Sequence, residues 1–261
     1  MEKVRLDVLL TERKLAESRA QAQRLVMAGQ VRVEGQVVLK PAIRFPIAVA
    51  IAVDQGPRFV SRGGEKLEAA LQRFGLAELP GQVCADVGAS TGGFTDCLLQ
   101  HGAQRVYAID VGYGVLHWKL RNDPRVVSME RTNARHVASL PEAVDLVVID
   151  ASFISLRILL PVVQGWLKPN GGVVVLIKPQ FEAGRSEAAR GEGVIRDHAV
   201  HRQVLQQVLE AAQQAGYKVK DVMPSPLTGP KGNIEFLAHL GFPDGEQESI
   251  IAMVEQAIVW D

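Results

Sequence analysis

The distribution of apolar and polar residues predicts alternating strands and helices over most of the chain. Seven short apolar runs have the length and the β-branched content of strands. They lie at residues 82–88, 105–110, 125–130, 144–153, 171–179, 217–224 and 233–240. Segments of helical periodicity, such as 155–168 and 198–216, separate several of them. This order predicts an α/β fold with an open, mostly parallel, seven-stranded sheet covered by helices on both faces. The tail at 244–260 adds a small helix.

Residues 1–45 show a different pattern, which predicts a small α+β unit. A short apolar helix is followed by a second helix, for which Ser18 is a suitable N-cap, Gln21 its capping-box partner and Gly29 the C-terminal stop. The alternation around Glu34 and Gly35 is typical of a hairpin. Gly56-Pro57 punctuates the bridge that follows. We therefore expect one domain at 1–57 and a second at 58–261.

The composition is consistent with two folded domains, and the distribution of charge limits the kinds of partner that they can bind. The 261 residues are 47% hydrophobic, which is enough for a real core. Net charge is zero, but residues 1–57 hold nine Lys or Arg against six Asp or Glu, so this segment suits an anionic partner. The two cysteines, Cys84 and Cys97, fit no zinc pattern, and no metal is expected. Without a signal-like segment or a run that could span a bilayer, we expect a cytoplasmic protein with no membrane partner.

Five cationic residues of the first segment are candidates for RNA binding. They are Arg5, Arg19, Arg24, Arg32 and Lys40. Together, on a small rigid unit, such groups neutralise phosphates and release counterions. The runs "RLDVLL" and "SRAQAQRLVMAGQVRVEGQVVLKP" resemble the S-four RNA-binding domain. The resemblance favours RNA over the alternative of a solvated basic face.

A glycine-rich turn, "DVGASTGG" at 86–93, follows the first strand of the sheet. Ligands of open α/β sheets bind at the carboxyl ends of the strands, and glycine lets backbone approach them closely. The spacing is neither G-x-G-x-x-G nor a P-loop; it resembles the first motif of S-adenosylmethionine-dependent methyltransferases. Asp110 is placed to bind ribose hydroxyls, and Glu130 or Asn133 to meet adenine. The expected cofactor residues are Asp86, Gly88, Ser90, Gly92, Gly93, Phe94, Asp110, Glu130 and Asn133.

Four charged residues are expected to share one crevice at this sheet edge. Asp150 ends the fourth strand, Lys178 ends the fifth, and Glu235 begins the seventh. Lys66 lies on a helix just before the first strand. Charged residues at buried strand ends are rarely tolerated unless they are paired. These four are the predicted catalytic residues.

The order Lys, Asp, Lys, Glu resembles the tetrad of the FtsJ-like ribose 2′-O-methyltransferases. With the RNA-binding segment, the whole chain resembles the TlyA family, also called haemolysin A. The runs that carry this are "SRGGEKL", "DVGASTGGFTD", "DVGYGVLHWKLRNDPRV", "ERTNAR", "DASFISL", "IKPQFE" and "GNIEF". The resemblance implies a Rossmann-like methyltransferase fold, S-adenosylmethionine as cofactor, and ribosomal RNA or ribosomal subunits as partners. It implies methylation of cytidine 2′-hydroxyls in 23S ribosomal RNA, with 16S as a second candidate.

The chemistry of the tetrad is consistent with that reaction. A ribose hydroxyl needs a base within hydrogen-bond reach. A lysine serves only after it loses its proton, which partial burial and a second cation favour. We hypothesise that Lys178 is the base, that Lys66 is the second cation, and that both carboxylates orient the amines. The sequence "DASF" lacks the D-P-P-[YF] motif of base-amine methylation, and no cysteine is placed for carbon-5 methylation.

Two other classes of function remain as alternatives, namely a membrane-active haemolysin and a non-catalytic RNA-binding assembly factor. The charged loop at 181–197 is either an RNA clamp, through Arg185 and Arg190, or a solvated insert. Glu182 is expected either to shape this loop or to cap a turn. The sequence leaves open the target nucleotide, the ribosomal subunit and the oligomeric state.

Overall fold

The computed structural model describes residues 3–54, 56–184, 193–243, 245–246 and 248–258. The chain divides into two compact units, Met1–Arg58 and Phe59–Asp261. Each has its own hydrophobic core.

The first unit is a small α+β fold. Its elements are β1 (Lys3–Arg5), α1 (Leu6–Glu12), α2 (Arg19–Met27), β2 (Val31–Val33), β3 (Gln36–Val37), β4 (Arg44–Pro46) and β5 (Ile51–Val53). The Ser18 hydroxyl caps α2 as expected, accepting from the Gln21 N–H at 3.2 Å. The Gln21 side chain accepts from the Glu17 N–H instead of from that of Ser18, so the capping box is shifted by one residue. The hairpin turn is confirmed, with positive φ at Glu34 and Gly35.

The second unit contains the remaining elements. They are α3 (Gly63–Arg73), β6 (Val83–Val87), α4 (Gly93–Gln100), β7 (Arg105–Ile109), α5 (Trp118–Arg121), β8 (Val126–Met129), β9 (Val144–Ile149), α6 (Leu156–Gln164), β10 (Leu167–Ile177), α7 (Pro179–Glu182), α8 (His198–Gln214), β11 (Lys218–Pro224), β12 (Phe236–Gly241) and α9 (Ile250–Ile258). A short 3-10 turn at Ala134–His136 precedes β9.

One seven-stranded sheet organises this unit, in the order β11-β12-β10-β9-β6-β7-β8. The strands from β6 to β10 are parallel, whereas β12 runs antiparallel to both β10 and β11. The mostly parallel sheet that the sequence predicts is therefore confirmed. The chain reverses its direction of travel across the sheet between β6 and β9, which makes their carboxyl ends the topological switch point.

Several boundaries differ from the sequence prediction. The strands β9 and β10 end at Ile149 and Ile177, so Asp150 and Lys178 each lie one residue beyond the strand that they were predicted to end. The helix predicted at 155–168 ends at Gln164, because Gly165 ends it and Leu167 already pairs with Val144 as β10 begins. Glu235 does not begin the last strand but lies one residue before it, in the preceding loop.

Both faces of the sheet are buried, which explains the continuous apolar runs. Side chains of β9 alternate, with Val147 and Ile149 in the core beneath α6, α8 and α9, and Leu146 and Val148 in the core beneath α3, α4 and α5. Cys84 and Cys97 are both buried, as expected. Among the described residues, no helix has both the length and the apolar content needed to cross a membrane.

Candidate functional site

The ends of β6 and β9 approach each other so closely that only glycine fits between them. A Cβ added at Gly88 would lie 2.6 Å from the carbonyl oxygen of Asp150, and Gly88 has φ of +85°. The Gly88 N–H donates to the Ile109 carbonyl at 2.9 Å. A larger residue here would push the glycine turn away from the loop that carries Asp150.

A cleft of about 300 Å³ opens at this switch point. Four of the predicted cofactor residues line it, namely Gly88, Ser90, Asp110 and Asn133. The predicted catalytic Asp150 lines it too. Apolar side chains complete the wall and include Ile109, Val111, Ile154 and Leu159. An apolar cleft with a few convergent polar groups is the usual form of a cofactor site.

The three polar residues predicted to contact a nucleoside differ in how free their side chains are. Asp110 accepts from the backbone N–H groups of Ser90 at 2.8 Å and of Gly112 at 2.7 Å. Its carboxylate thus fixes the glycine turn to the loop after β7. Asn133 lines the cleft while its Oδ1 accepts from the Arg135 N–H at 3.1 Å. Glu130 is instead paired with Arg121 at 2.5 Å and lies outside the cleft lining.

The remaining glycine-turn residues connect the cleft to α3. Gly93 and Phe94 line a second cavity, of about 100 Å³, together with Asp150 and Gly63. A Cβ at Gly93 would lie 2.9 Å from the backbone nitrogen of Gly64, so the turn packs directly on the first turn of α3. Gly92 packs on the other side, where a Cβ would clash with Leu120. The turn therefore holds the helix that carries Lys66 against the switch point.

Asp86 is the one predicted cofactor residue with a fully buried side chain. Its Oδ2 accepts from the Thr95 hydroxyl of α4 at 2.6 Å, and its Oδ1 has no hydrogen-bond partner in the described part of the chain. Burial raises the pKa of Asp86 to about 7, and the charges of Asp150 and Asp110 add to that rise. The structure places this side chain between the sheet and α4, beneath the glycine turn.

Lys178 and Asp150 form an ion pair across the ends of β10 and β9, which are neighbours in the sheet. The Lys178 Nζ lies 2.6 Å from the Asp150 Oδ1. It also donates to the Ser152 hydroxyl at 3.0 Å. Both side chains are largely buried yet reach the surface of the site, with 11% of Lys178 and 26% of Asp150 exposed. An amine held this way has a fixed position at the rim of the cleft.

The other two predicted catalytic residues form a second, more deeply buried pair. The Lys66 Nζ lies 2.5 Å from the Glu235 Oε2, with the Glu235 side chain 2% exposed. The second oxygen of Glu235 accepts from the Gln180 amide at 3.3 Å. Gln180 follows Lys178 by two residues and so connects this pair to the end of β10. Each of the two carboxylates therefore holds one of the two amines.

Several residues at the site were not predicted. Ser152 and Phe153 line the cleft, and the Phe153 ring lies 4.9 Å from that of Phe181. Their only sequence signal is that they closely follow Asp150. Glu182, left open by the sequence, caps α6: its Oε1 accepts from the Leu156 N–H and its Oε2 from the Ser155 hydroxyl, each at 2.7 Å. It thereby anchors the loop that carries Asp150 and Ser152.

In the first unit, the candidate RNA-binding arginines surround a buried carboxylate. Asp7 is fully buried and accepts from Arg5 through two nitrogens, at 3.0 and 2.9 Å. Arg19 donates to it at 3.1 Å and Gln23 at 2.8 Å. The hydrogen bond from Arg5 holds the pKa of Asp7 well below its usual range. The other predicted cations, Arg24, Arg32 and Lys40, are exposed.

Part of the sequence interpretation lies beyond what the structure describes. The candidate RNA contacts Arg185 and Arg190 fall outside the described residues. Within the described ranges, no group of three or more His, Cys, Asp or Glu side chains is arranged to hold a metal ion.

Comparison with known proteins finds matches to both units. Residues 59–242 match the family model of FtsJ-like methyltransferases, and residues 4–45 match that of the S4 domain. YqxC of Bacillus subtilis is 46% identical over an alignment of 269 positions, which covers 98% of this chain and 94% of that protein. The 16S/23S rRNA (cytidine-2′-O)-methyltransferase TlyA of Mycobacterium tuberculosis is 46% identical, over 91% of this chain and 90% of its own length. A solved hemolysin-family structure from Streptococcus thermophilus has a TM-score of 0.74 at 43% identity, with 99% of this chain and 95% of that chain covered.

The buried Asp86 predicts a specific pH dependence of stability. Its raised pKa means that the folded protein binds this proton more tightly than the unfolded chain does. Its contribution to stability is therefore greatest below about pH 4 and falls as the pH rises through about 7. Asp86→Asn removes this ionisation and retains an acceptor for Thr95. Relative to wild type, the free energy of unfolding of the variant should rise by about 2–3 kcal/mol between pH 5 and pH 8.

Urea denaturation at the two pH values measures this difference, and the other titrating groups cancel in the comparison. A wild-type and variant difference that is the same at pH 5 and pH 8 would contradict a protonated, buried Asp86.

Proposed function

Because the chain belongs to the FtsJ-like methyltransferase family and, with its S4 domain, to the TlyA family, we propose that it methylates ribosomal RNA. The proposed reaction transfers a methyl group from S-adenosylmethionine to the ribose 2′-hydroxyl of cytidine. The proposed catalytic residues are Lys66, Asp150, Lys178 and Glu235. The observation that carries the proposal is the Lys178–Asp150 pair at the rim of the cleft, with a second, buried Lys–Glu pair behind it.

The cleft residues fit the cofactor in shape and chemistry. Gly88 lets the backbone approach a ligand, and the apolar wall suits an adenine ring. Asp110 and Asn133 supply polar groups at the same edge. S-adenosylmethionine, when bound, supplies an electrophilic methyl group on a positively charged sulfur. Asp110 would meet the ribose hydroxyls of the cofactor, and Asp86 and Gly92 would act by supporting the turn.

Lys178 is proposed as the base because, of the two amines, it is the one paired with Asp150, a residue of the cleft lining. Asp150 and Ser152 fix the direction of the amine. Once Lys178 has lost a proton to solvent, its lone pair accepts the proton of the ribose hydroxyl. The ribose oxygen would then take the methyl group that S-adenosylmethionine supplies when bound, whose sulfur would keep the electron pair of the broken bond. Positioning of the reacting groups supplies much of the rate.

Lys66 and Glu235 are proposed to support this arrangement rather than to transfer protons. Their pair is buried, and breaking a buried pair by removing one partner costs roughly 3–5 kcal/mol because a charge is left uncompensated. Gln180 connects Glu235 to the segment after Lys178. The pair thus holds α3 and the loop before β12 in place around the proposed base.

The first unit is proposed to bind the RNA. Arg5 and Arg19 are held at fixed positions by Asp7, and Arg24, Arg32 and Lys40 add exposed positive charge. Phosphate contacts of this kind set register and orientation on a nucleic acid, while other contacts supply specificity. The TlyA relative is named for both 16S and 23S ribosomal RNA, and we propose the same substrates here. A cytoplasmic location, where ribosomes are found, stays a prediction.

Removal of the proposed base should abolish transfer without abolishing cofactor binding. Lys178→Ala is expected to lower kcat by about a hundredfold to ten-thousandfold, the usual value of a general base. Lys178→Arg should be equally inactive, because arginine keeps the charge but does not give up its proton. Transfer of labelled methyl groups to ribosomal subunits and to naked ribosomal RNA measures activity, and calorimetry measures cofactor affinity.

Lys168→Ala is the matched control. Lys168 is the second residue of the same strand and pairs with Asp145 at 2.8 Å, at the end away from the cleft, so its loss should leave transfer intact. Full transfer by Lys178→Ala would exclude Lys178 as the base, and a wild-type protein inactive on every ribosomal substrate would exclude the proposed function.

The role of Asp7 in ordering two arginines predicts that neutralising it weakens RNA binding, whereas net charge alone predicts stronger binding. Asp7→Asn removes a negative charge from a basic unit, which by charge alone should strengthen RNA binding. Because Asp7 orders Arg5 and Arg19, we expect the variant to bind RNA about tenfold more weakly, since each long side chain must then be ordered on binding. Filter binding or anisotropy across a salt series measures the affinity.

Glu12→Gln provides the control with the same change of charge, because Glu12 is an exposed residue at the end of α1. This variant should bind RNA at least as well as wild type. If Asp7→Asn, folded by circular dichroism, binds as tightly as Glu12→Gln, then Asp7 does not position the arginines for RNA.

A further inference from the structure

Four large apolar side chains are exposed beside the cofactor cleft, three of them in the loop after β7 and the fourth, Trp118, at the first residue of α5. Val111, Tyr113, Val115 and Trp118 expose between 44% and 72% of their surfaces. The loop follows β7, at the sheet edge where the cleft opens. Single exposed apolar residues are common on protein surfaces, but a group of them near a site marks a surface that binds something.

The backbone of this loop is held at several points, so the exposed side chains start from a fixed frame. The Gly112 N–H donates to the Asp110 carboxylate at 2.7 Å, and the Gly114 N–H donates to that of Glu130 at 3.1 Å. The His117 N–H donates to the Thr91 carbonyl at 3.1 Å. Exposure of the aromatic rings is therefore a feature of an ordered loop.

The cofactor would not cover these rings. Val111 lines the cleft of about 300 Å³, but neither Tyr113 nor Trp118 does. Val115 lines only a small adjoining cavity. The two aromatic rings are therefore available to a ligand other than the cofactor.

Positive charge accompanies the aromatic rings. The guanidinium carbon of Arg131 lies 4.1 Å from the centre of the Tyr113 ring, and Arg131 is itself exposed. Its φ of +52° is a strained conformation for a non-glycine residue, and the Arg131 N–H donates to the Gly112 carbonyl at 2.9 Å. Lys119, next to Trp118, is also largely exposed. Alternation of aromatic rings with cations suits an RNA strand, whose bases stack on rings while its phosphates meet the cations.

We propose that Tyr113, Trp118 and Arg131 form a second RNA-binding surface, located on the methyltransferase unit itself. Unpaired nucleotides next to the target ribose stack on the two rings, and a phosphate contacts Arg131. Because this surface lies beside the cleft, an RNA strand whose target ribose reaches Lys178 would pass over it. This inference rests on the proposed RNA methyltransferase function and adds to it the contacts that hold the neighbouring nucleotides.

The test compares variants of Trp118 in the full-length protein. Trp118→Ala is expected to raise the KM for RNA about tenfold, the typical loss for one base–aromatic stack, and to leave the KM for S-adenosylmethionine unchanged. Trp118→Phe keeps an aromatic ring and should retain most of the affinity. Tyr113→Ala should repeat the effect of Trp118→Ala. Ile251→Ala is the control, since Ile251 is 60% exposed on α9, and it should change neither KM.

Fluorescence supplies a second readout that does not depend on activity. The chain has three tryptophans, of which Trp166 is buried. The difference between the wild type and Trp118→Phe isolates the emission of Trp118. A single-stranded, cytidine-containing RNA oligomer should quench this emission in the absence of S-adenosylmethionine.

The outcomes separate this inference from the proposed function. If wild type transfers methyl groups and Trp118→Ala has an unchanged KM for RNA, the proposed RNA-binding surface is excluded and the proposed function is retained. If wild type is inactive but Trp118 is quenched by RNA, the function is wrong and the surface stands. If only the KM for S-adenosylmethionine changes, the rings contact the cofactor, and the proposal is overturned. If the sedimentation coefficient changes while the RNA affinity does not, the rings form a protein contact, and the proposal is likewise overturned.

Discussion

The ion pair between Lys178 and Asp150 is the interaction around which the site is arranged. It connects the ends of two adjacent parallel strands whose last residues, 146–149 and 173–177, are all apolar and buried. A lysine at the end of such a strand is tolerated only if its charge is compensated, and Asp150 is the nearest carboxylate that the sheet provides. The Asp150 loop in turn depends on Gly88, which leaves room for its carbonyl, and on Glu182, which anchors its far end. A substitution at Gly88 or at Glu182 should therefore change the position of the Lys178 amine.

Much of this site could be predicted because parallel strands end at one edge. Asp150 and Lys178 are each the first charged residue after an apolar run, and adjacent strand ends bring such residues together. The same reasoning locates Gly88, Ser90 and Asp110 at the cleft. The sequence could not show how the four charged residues are divided into pairs, because this depends on the antiparallel insertion of β12 between β10 and β11. That arrangement places Glu235 next to Lys66, although the two residues are far apart in sequence.

Side-chain direction was harder to predict than position. Asp86 precedes the glycine turn by two residues, but its side chain points to α4, where Thr95 binds it. Glu130 follows β8 as expected, but Arg121 pairs with it away from the cleft lining. In the first unit, the sequence pattern does not single out Asp7, and only its burial reveals it as the group that holds Arg5 and Arg19. Such contacts depend on packing between elements distant in sequence.

In each of the two units, a carboxylate fixes the position of a cationic side chain. Asp7 fixes guanidinium groups suited to phosphates, and Asp150 fixes an amine suited to a ribose hydroxyl. The proposed reaction requires that the amine act on the ribose and not on a base. The position of the transferred methyl group tests this most directly. Ribosomal RNA labelled by the protein should, after alkaline hydrolysis, carry its label in a dinucleotide that resists cleavage. Label recovered in ordinary mononucleotides would place the methyl group on a base and contradict the account.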